Sequence, residues 1–199
     1  MDRNVLADVH RFWFGELKSP DDTPSDKAQI WFKQSDETDR TIRERFAASL
    51  DDAAVTDWNL ADLTRVEQVG LVVLLDQFPR NIFRTSGQAF AYDAKARAIA
   101  GALLKEGAAR FYPPERGFLF LPLMHSEDIA DQEYCLWLYV SETLSAPPER
   151  KDGLRMGIDF STRHRDIIRK FGRFPHRNVV LGRESTPEEV AFLKSGRGF

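Results

Sequence analysis

Apolar residues recur at intervals of three and four along almost the whole chain, and this spacing is the strongest constraint on its fold. Near the start the apolar set is Val5, Leu6, Val9, Phe12 and Trp13, which forms one stripe on a helix. Later segments repeat the pattern, and no alternating run of β-branched residues interrupts it. The sequence therefore predicts an all-α protein.

Capping residues and prolines set the expected ends of the helices. Asp93 and Ser126 are suited to N-cap positions, and Thr-Pro-Glu-Glu at residues 186–189 is a capping box with proline at the first helical position. Gly15 and Gly172 are placed to end helices in a left-handed conformation. The predicted helices cover residues 5–14, 30–32, 38–50, 63–78, 93–106, 113–120, 127–144, 148–171 and 187–195.

One phrase occurs twice, as Asp-Gln-Phe-Pro-Arg-Asn at residues 76–81 and Gly-Arg-Phe-Pro-His-Arg-Asn at residues 172–178. The residue before a proline is pushed out of the helical region, so both Phe-Pro steps are predicted to end helices with an apolar anchor. We expect the Arg-Asn tails to meet residues 125–132. The separation of the two phrases does not match a whole number of tetratricopeptide repeats of about 34 residues. Short helices with shorter connections nevertheless predict an array of antiparallel helical hairpins.

Three strings in the chain resemble a known family. They are Leu-Leu-Asp-Gln-Phe-Pro-Arg-Asn-Ile-Phe-Arg at residues 74–84, Leu-Pro-Leu-Met-His-Ser-Glu-Asp at residues 121–128, and Phe-Gly-Arg-Phe-Pro-His-Arg-Asn at residues 171–178. Together they resemble the bacterial domain-of-unknown-function 924 family over essentially the whole chain. The resemblance implies one tetratricopeptide-like helical domain spanning residues 1–199. It implies no activity, so it assigns no catalytic residue.

Composition narrows the class of protein further. The net charge is −3, which disfavours nucleic acid as a partner, although residues 163–183 carry seven Lys or Arg against the single acid Asp166. Cys135 is the only cysteine, so no intramolecular disulfide forms. The chain starts without the charged and apolar regions of a signal peptide and contains no run long enough to cross a membrane. These features predict a cytoplasmic protein without a membrane partner.

Residues 125–132 read His-Ser-Glu-Asp-Ile-Ala-Asp-Gln and are the densest patch of reactive side chains. His125 beside carboxylates could act as a general base, because an imidazole with a pKa near about 6.5 suits proton transfer. Glu127 or Asp128 would then orient it. The same residues equally fit a structural role, with Ser126 as the N-cap and the acids favouring the helix dipole. The sequence leaves both interpretations open.

Five arginines lie on predicted helix-ending turns, and guanidinium groups bind phosphate or carboxylate in pairs. These arginines are Arg80, Arg84, Arg173, Arg177 and Arg183. They favour a site for a small anion. Their alternative use is internal, because Asp76, Glu127, Asp128 and Asp131 could pair with them and fix the turns.

No metal or cofactor motif supports a further site. The chain lacks His-Glu-x-x-His, the glycine-rich phosphate loops and the Gly-x-Ser-x-Gly elbow, so we expect no metal and no cofactor. His164 falls in an apolar stripe and Cys135 stands among aromatic residues. Both are therefore interpreted as core residues.

Two hypotheses follow. The first is a binding or scaffold module for a peptide, a partner protein or a small anionic ligand; the second is an enzyme on a small anionic substrate. The residues assigned to catalysis are His125, Glu127 and Asp128, and those assigned to ligand binding are Asp76, Arg80, Asn81, Asp131, Gln132, Arg173, His176, Arg177 and Asn178. The sequence decides neither between the two hypotheses nor the oligomeric state.

Overall fold

A computed structural model describes residues 2–22 and 24–196 of the chain. Met1, Thr23 and residues 197–199 of the predicted 1–199 domain lie outside this description. Within the described ranges the regular structure is entirely helical, without a strand, which confirms the all-α prediction. Contacts divide the chain into two compact units, one up to Pro122 and one from Leu123. We describe each unit separately, and the single tetratricopeptide-like domain stays a prediction.

Among its described residues, the first unit contains six complete α-helices and most of a seventh. They are α1 (Asn4–Phe14), α2 (Ala28–Phe32), α3 (Asp36–Phe46), α4 (Leu50–Val55), α5 (Arg65–Ile82), α6 (Asp93–Lys105) and α7 (Pro113–Met124), which ends in the second unit. Helix α5 is the centre of the first unit, because α1, α3, α4 and α6 all pack on it. Its residues 68–76 are buried without a break, as expected for an apolar helix surrounded by others.

A glycine permits a close contact between α1 and α5 in this unit. A Cβ atom added to Gly70 on α5 would lie 2.0 Å from the carbonyl oxygen of Leu6 on α1. The clash is with backbone, so no side-chain rotation relieves it. Only glycine therefore allows α1 to lie this close to α5.

The prediction that Phe78-Pro79 ends a helix is wrong, because α5 continues through Pro79 to Ile82. Proline removes one backbone donor and restricts the preceding residue, and tertiary packing has to offset both effects. Phe78 is fully buried and packs edge-on against Trp13 at a ring separation of 5.6 Å. This burial stabilises the helical conformation at the Phe-Pro step.

Two further helix ends differ from the prediction. Helix α7 includes Pro122 and runs to Met124, four residues beyond the expected end, because Leu119, Phe120, Leu123 and Met124 are all buried. The predicted helix over residues 38–50 is divided into α3 and α4 by a 3₁₀ turn at Ala47–Ser49. Its apolar residues Ile42, Phe46 and Leu50 are nevertheless all buried, so the predicted stripe continues across the break.

The second unit contains α8 (Ile129–Ser145), α9 (Pro148–Phe171) and α10 (Pro187–Lys194), with a 3₁₀ turn at Pro175–Arg177. Helices α8 and α9 pack as an antiparallel hairpin: Glu142 pairs with Arg150 at 2.8 Å, whereas Glu133 pairs with Arg169 at 2.5 Å. Between these pairs Gly157 of α9 faces Tyr139, where an added Cβ would approach the ring to 2.4 Å. Glycine thus permits close packing in this hairpin too.

The second Phe-Pro step follows a helix end, as predicted. Gly172 ends α9 in the left-handed conformation, with φ 68° and ψ 1°, and Phe174 is extended before Pro175. Gly15 also has a positive φ of 72°, but its ψ of −153° is not left-handed helical, so that cap differs from the prediction. The capping box of α10 is present, with Thr186 accepting from the backbone N–H of Glu189.

Two predicted N-caps are wrong by one or two residues along the sequence. Asp128, not Ser126, caps α8 by accepting from the N–H of Ala130 at 2.9 Å. Both residues are good caps, and Ser126 instead accepts from the N–H of Asp128 at 3.1 Å. Asp93 is the first residue of α6 rather than its cap.

None of the helices in the described ranges combines the length and the apolar character needed to cross a bilayer.

We expect Gly70→Ala to lower the free energy of unfolding by about 3 kcal/mol or more, because α1 has to move away from α5. The matched control is Gly101→Ala on α6, where an added Cβ meets no atom within 4 Å. That substitution should be neutral or stabilise the protein by up to about 1 kcal/mol. Urea unfolding of both variants measures the difference. Equal midpoints for the two variants would contradict the close approach.

Candidate functional site

A buried carboxylate organises the end of the second unit. Glu189 is 2% exposed and accepts two hydrogen bonds from Arg173, from Nε at 2.7 Å and from Nη2 at 2.9 Å. It also accepts from the N–H of Thr186 at 2.7 Å and from the side chain of Asn178 at 3.2 Å. The bonds from Arg173, with those from Thr186 and Asn178, lower the pKa of Glu189 to about 2. Glu189 is therefore an ionised structural partner for both Arg173 and Asn178.

Glu127 is held in a similar way. Arg183 donates to its two oxygens at 2.7 and 3.0 Å, and the backbone N–H of Phe174 donates at 2.8 Å. Burial raises the pKa of Glu127, but the bonds from Arg183 and Phe174 outweigh it and hold that pKa below its usual range. The predicted orienting residue for His125 thus ties the second Phe-Pro step to the turn before α8.

Three histidines and Arg177 lie close together near Phe174. Arg177 donates to the backbone carbonyl of His125 at 3.0 Å and lies 4.5 Å from the centre of the Phe174 ring. The rings of His164 and His176 are each 5.6 Å from that ring. Arg177 therefore meets residues 125–132, as predicted for the second phrase.

Burial keeps one of these histidines neutral, because it lowers the pKa of His164 to about 3. His176, in contrast, is exposed to solvent. The Nδ1–H of His164 donates to the carbonyl of Phe160 at 2.8 Å. The interpretation of His164 as a core histidine agrees with this geometry.

The other acids of residues 125–132 serve the backbone or each other. Asp128 caps α8, while Asp131 accepts from the hydroxyl of Ser126 at 2.6 Å. The side-chain NH₂ of Gln132 donates to the carbonyls of Met124 and Ser126, each at 2.7 Å. Gln132 is fully buried and so joins the end of α7 to the start of α8.

The first Phe-Pro phrase is bonded inside the first unit. Arg80 forms a two-point pair with Asp93 at 2.9 and 3.0 Å and also donates to the carbonyl of Asp76 at 2.5 Å. The carboxylate of Asp76 is buried and lies 3.6 Å from the same guanidinium. Asn81 donates to Asp39 at 2.8 Å, and Arg84 binds Asp39 through two nitrogens.

The structure therefore sorts the predicted site residues into two sets. Asp76, Arg80 and Asn81 lie in the first unit, and all the other predicted residues lie in the second. The alternative of internal ion pairs is observed for Asp76 with Arg80 and for Glu127 with Arg183. A catalytic or ligand-binding role for these residues stays a prediction.

Sequence reasoning missed several partners. Asp39, Asp93 and Glu189 are the carboxylates that Arg84, Arg80 and Arg173 bind. Of these three, Glu189 could have been found from the sequence, since it is the acid of the predicted capping box.

A further polar cluster lies in the first unit. The Nε2 atom of His10 is 2.6 Å from the carboxylate of Glu115, and both residues are buried. Glu115 also binds Arg65 and accepts from the N–H of Tyr112 at 2.7 Å. The position of His10 in the apolar stripe of α1 was its only signal in the sequence.

The described part of the chain shows no arrangement that would hold a metal ion. Among residues 2–22 and 24–196, no group of three or more His, Cys, Asp or Glu side chains is placed as a set of ligands. Burial raises the pKa of the Cys135 thiol, which fits a core residue rather than a nucleophile.

The fold and these clusters define an all-α protein whose helix ends are fixed by buried or partly buried ion pairs. A family model described as a bacterial protein of unknown function (DUF924) matches residues 9–197, and the chain belongs to this family. The chain is also similar to the solved structure of ATU0120, a protein of unknown function from Agrobacterium tumefaciens. The identity is 32% and the TM-score is 0.80, covering 98% of this chain and 100% of the other. No match was found among curated proteins.

We expect Glu189→Gln to lower the free energy of unfolding by about 2 kcal/mol, because it leaves Arg173 without its charged partner. The control is Glu188→Gln, which removes an exposed pair with Lys170 at 2.9 Å and should cost less than about 0.5 kcal/mol. Urea unfolding at neutral pH compares the two. A larger loss in the control would contradict the assigned role of Glu189.

We expect stability to fall as the pH is lowered from about 7.5 to about 5.5, above the range in which unfolded carboxylates bind most of their protons. In this range the unfolded chain protonates His164, whereas the folded chain keeps it neutral, with a pKa of about 3. This histidine contributes at most about 1.4 kcal/mol per pH unit. His164→Gln should reduce the slope of unfolding free energy against pH. An unchanged slope would show that His164 does not contribute.

Proposed function

We propose that the protein is a binding module that docks an amphipathic helix of a partner protein on the outer face of α8. This face consists of Trp137, Val140 and Leu144, which are 58%, 40% and 80% exposed. Their spacing of three and four residues places them on one side of α8, opposite the buried residues Cys135 and Tyr139. Contiguous exposed apolar surface of this kind is typical of protein interaction sites.

Trp137 supplies a rigid anchor for such a partner. Its ring stacks on that of Tyr134 at a centroid distance of 5.8 Å and an interplanar angle of 16°. Stacked aromatic side chains lose little conformational freedom on binding, and Trp and Tyr are common at the centre of interfaces. A helix that packs its apolar side on this face would cover both the anchor and Leu144.

Charge determines which kind of helix fits. Residues 129–145 contain Asp131, Glu133 and Glu142 but no Lys or Arg, and Glu133 and Glu142 pair with Arg169 and Arg150 of α9. Glu133 lies four residues before Trp137, on the same side of α8, and its carboxylate is partly exposed. A partner helix with Lys or Arg beside its apolar stripe would therefore be attracted to Glu133. A second copy of this chain is a poorer occupant, because its own α8 offers no Lys or Arg to Glu133. With 17 residues, α8 offers a contact about 26 Å long.

The bonding of the predicted catalytic residues favours the binding module over the enzyme. Glu127 is committed to Arg183 and Phe174, and Asp128 caps α8. Neither carboxylate is thus directed to His125 as an orienting group for general base catalysis. Arg173 is likewise engaged by Glu189.

The test uses a synthetic helical peptide of 18 residues with Leu at positions spaced by three and four and Lys elsewhere. Binding should shift the fluorescence of Trp137 to shorter wavelength in a saturable way, because the indole leaves water. Trp137→Phe identifies that signal among the four tryptophans. Leu144→Ser should weaken binding of the peptide about tenfold, as measured by calorimetry.

The control variant is Val55→Ser, which changes an equally exposed apolar residue in the first unit and should not affect binding. The control peptide replaces every Lys by Glu. If the acidic peptide binds as tightly as the basic one, or Leu144→Ser has no effect, the proposal is wrong. The other possible occupant is a second copy of the chain. In that case sedimentation at rising protein concentration would show self-association, and Leu144→Ser would abolish it.

A further inference from the structure

A polar depression lies where the end of α5 meets α3 in the first unit. It has a volume of about 410 Å³, within the range of about 300–1,000 Å³ typical of small-molecule sites. Its walls are Asp36, Asp39 and Arg43 on one side of α3 and residues 81–86 at the end of α5. This site is separate from the outer face of α8, and the inference does not rest on the proposed function.

The floor of the depression is rigid. The carboxylate of Asp39 is mostly buried and accepts from Asn81 at 2.8 Å and from Nη2 of Arg84 at 2.7 Å, with a further bond from Nε of Arg84. Burial raises the pKa of Asp39, but Arg84 and Asn81 outweigh it, and the pKa stays below its usual value. Asp39 is therefore a neutralised support rather than an open carboxylate.

Two guanidinium groups are held in place while keeping donors for a ligand. Arg84 uses Nε and Nη2 on Asp39, and Arg43 uses Nη2 on the carbonyl of Ile82 at 2.7 Å. In the part of the chain that the structure describes, the Nη1 groups of both arginines make no hydrogen bond. Fixed guanidinium donors of this kind bind carboxylate well, because little side-chain freedom is lost.

A negative charge balances the other end of the depression. Asp36 lies seven residues before Arg43 on the same side of α3, about 10 Å along the helix axis. Within residues 2–22 and 24–196 its carboxylate makes no hydrogen bond or ion pair. Because Arg84 is neutralised by Asp39, the remaining charges among the described residues of the wall are one cation, Arg43, and one anion, Asp36.

We propose that this depression binds a small zwitterion of about dipeptide size, with its carboxylate on Arg43 and Arg84 and its ammonium group on Asp36. The balanced charge of the walls disfavours a multiply charged phosphate. The hydroxyl of Thr85, also in the wall, is an additional donor or acceptor for the ligand's peptide group. The length between Asp36 and Arg43 suits two linked residues better than a single amino acid.

The test titrates ¹⁵N-labelled protein with glycylglycine and follows backbone amide shifts by NMR. Saturable shifts should concentrate in residues 36–43 and 81–86. N-acetylglycylglycine lacks the ammonium group and glycylglycine amide lacks the carboxylate, so each should bind about tenfold more weakly. Inorganic phosphate should not compete. Shifts spread over the chain, equal binding of the blocked peptides, or stronger binding of phosphate would each overturn the proposal.

Variants separate the two ends of the ligand. Asp36→Asn should weaken glycylglycine binding about tenfold without weakening binding of the N-acetylated peptide. Arg43→Gln should weaken both, whereas Arg40→Gln, an exposed residue of α3 outside the depression, should weaken neither. If Arg43→Gln fails to fold, Asp36→Asn alone still decides, because an equal effect on both peptides would refute the ammonium assignment.

Discussion

The close approach of α1 to α5 is the constraint on which the first unit depends. With only a hydrogen atom on Gly70, α1 lies against the α5 backbone and its aromatic residues reach Phe78. The buried Phe78 stabilises the helix through Pro79, which keeps Arg80 and Asn81 on a helical turn. Their bonds to Asp93 and Asp39 follow from that position. A single missing methyl group thus determines where the polar side chains at the end of α5 lie.

Local signals predicted much of the helical structure. The capping box at Thr186 and the left-handed Gly172 depend on residues within a few positions of each other, so they could be read directly. The helix through Pro79 could not, because the burial that stabilises it comes from aromatic residues about 65 positions earlier. The cap of α8 was ambiguous for another reason. Ser126 and Asp128 are both good caps two residues apart, and local preference does not choose between them.

The candidate sites show a similar division. The sequence identified the arginines at helix ends, because capping residues and prolines indicate where the turns lie. It could not assign their partners, since any acid in the chain could fold back to a guanidinium; Asp39 reaches Arg84 across 45 positions. The outer face of α8 was also hidden. The sequence pattern alone does not separate Trp137 and Leu144 from core residues, and only the packing of α9 on the opposite side of α8 shows that they contact water.

The buried Cys135 gives the second unit a chemical reporter of its own opening. Its thiol is enclosed in the α8 side of the hairpin, and burial suppresses the thiolate that reacts with electrophiles. A thiol-labelling reagent therefore reacts with Cys135 only after α8 separates from its neighbours. Because the sequence has no second cysteine, the rate of modification reads one event at one place. The rate of Cys135 modification therefore measures local unfolding of the second unit without an engineered probe.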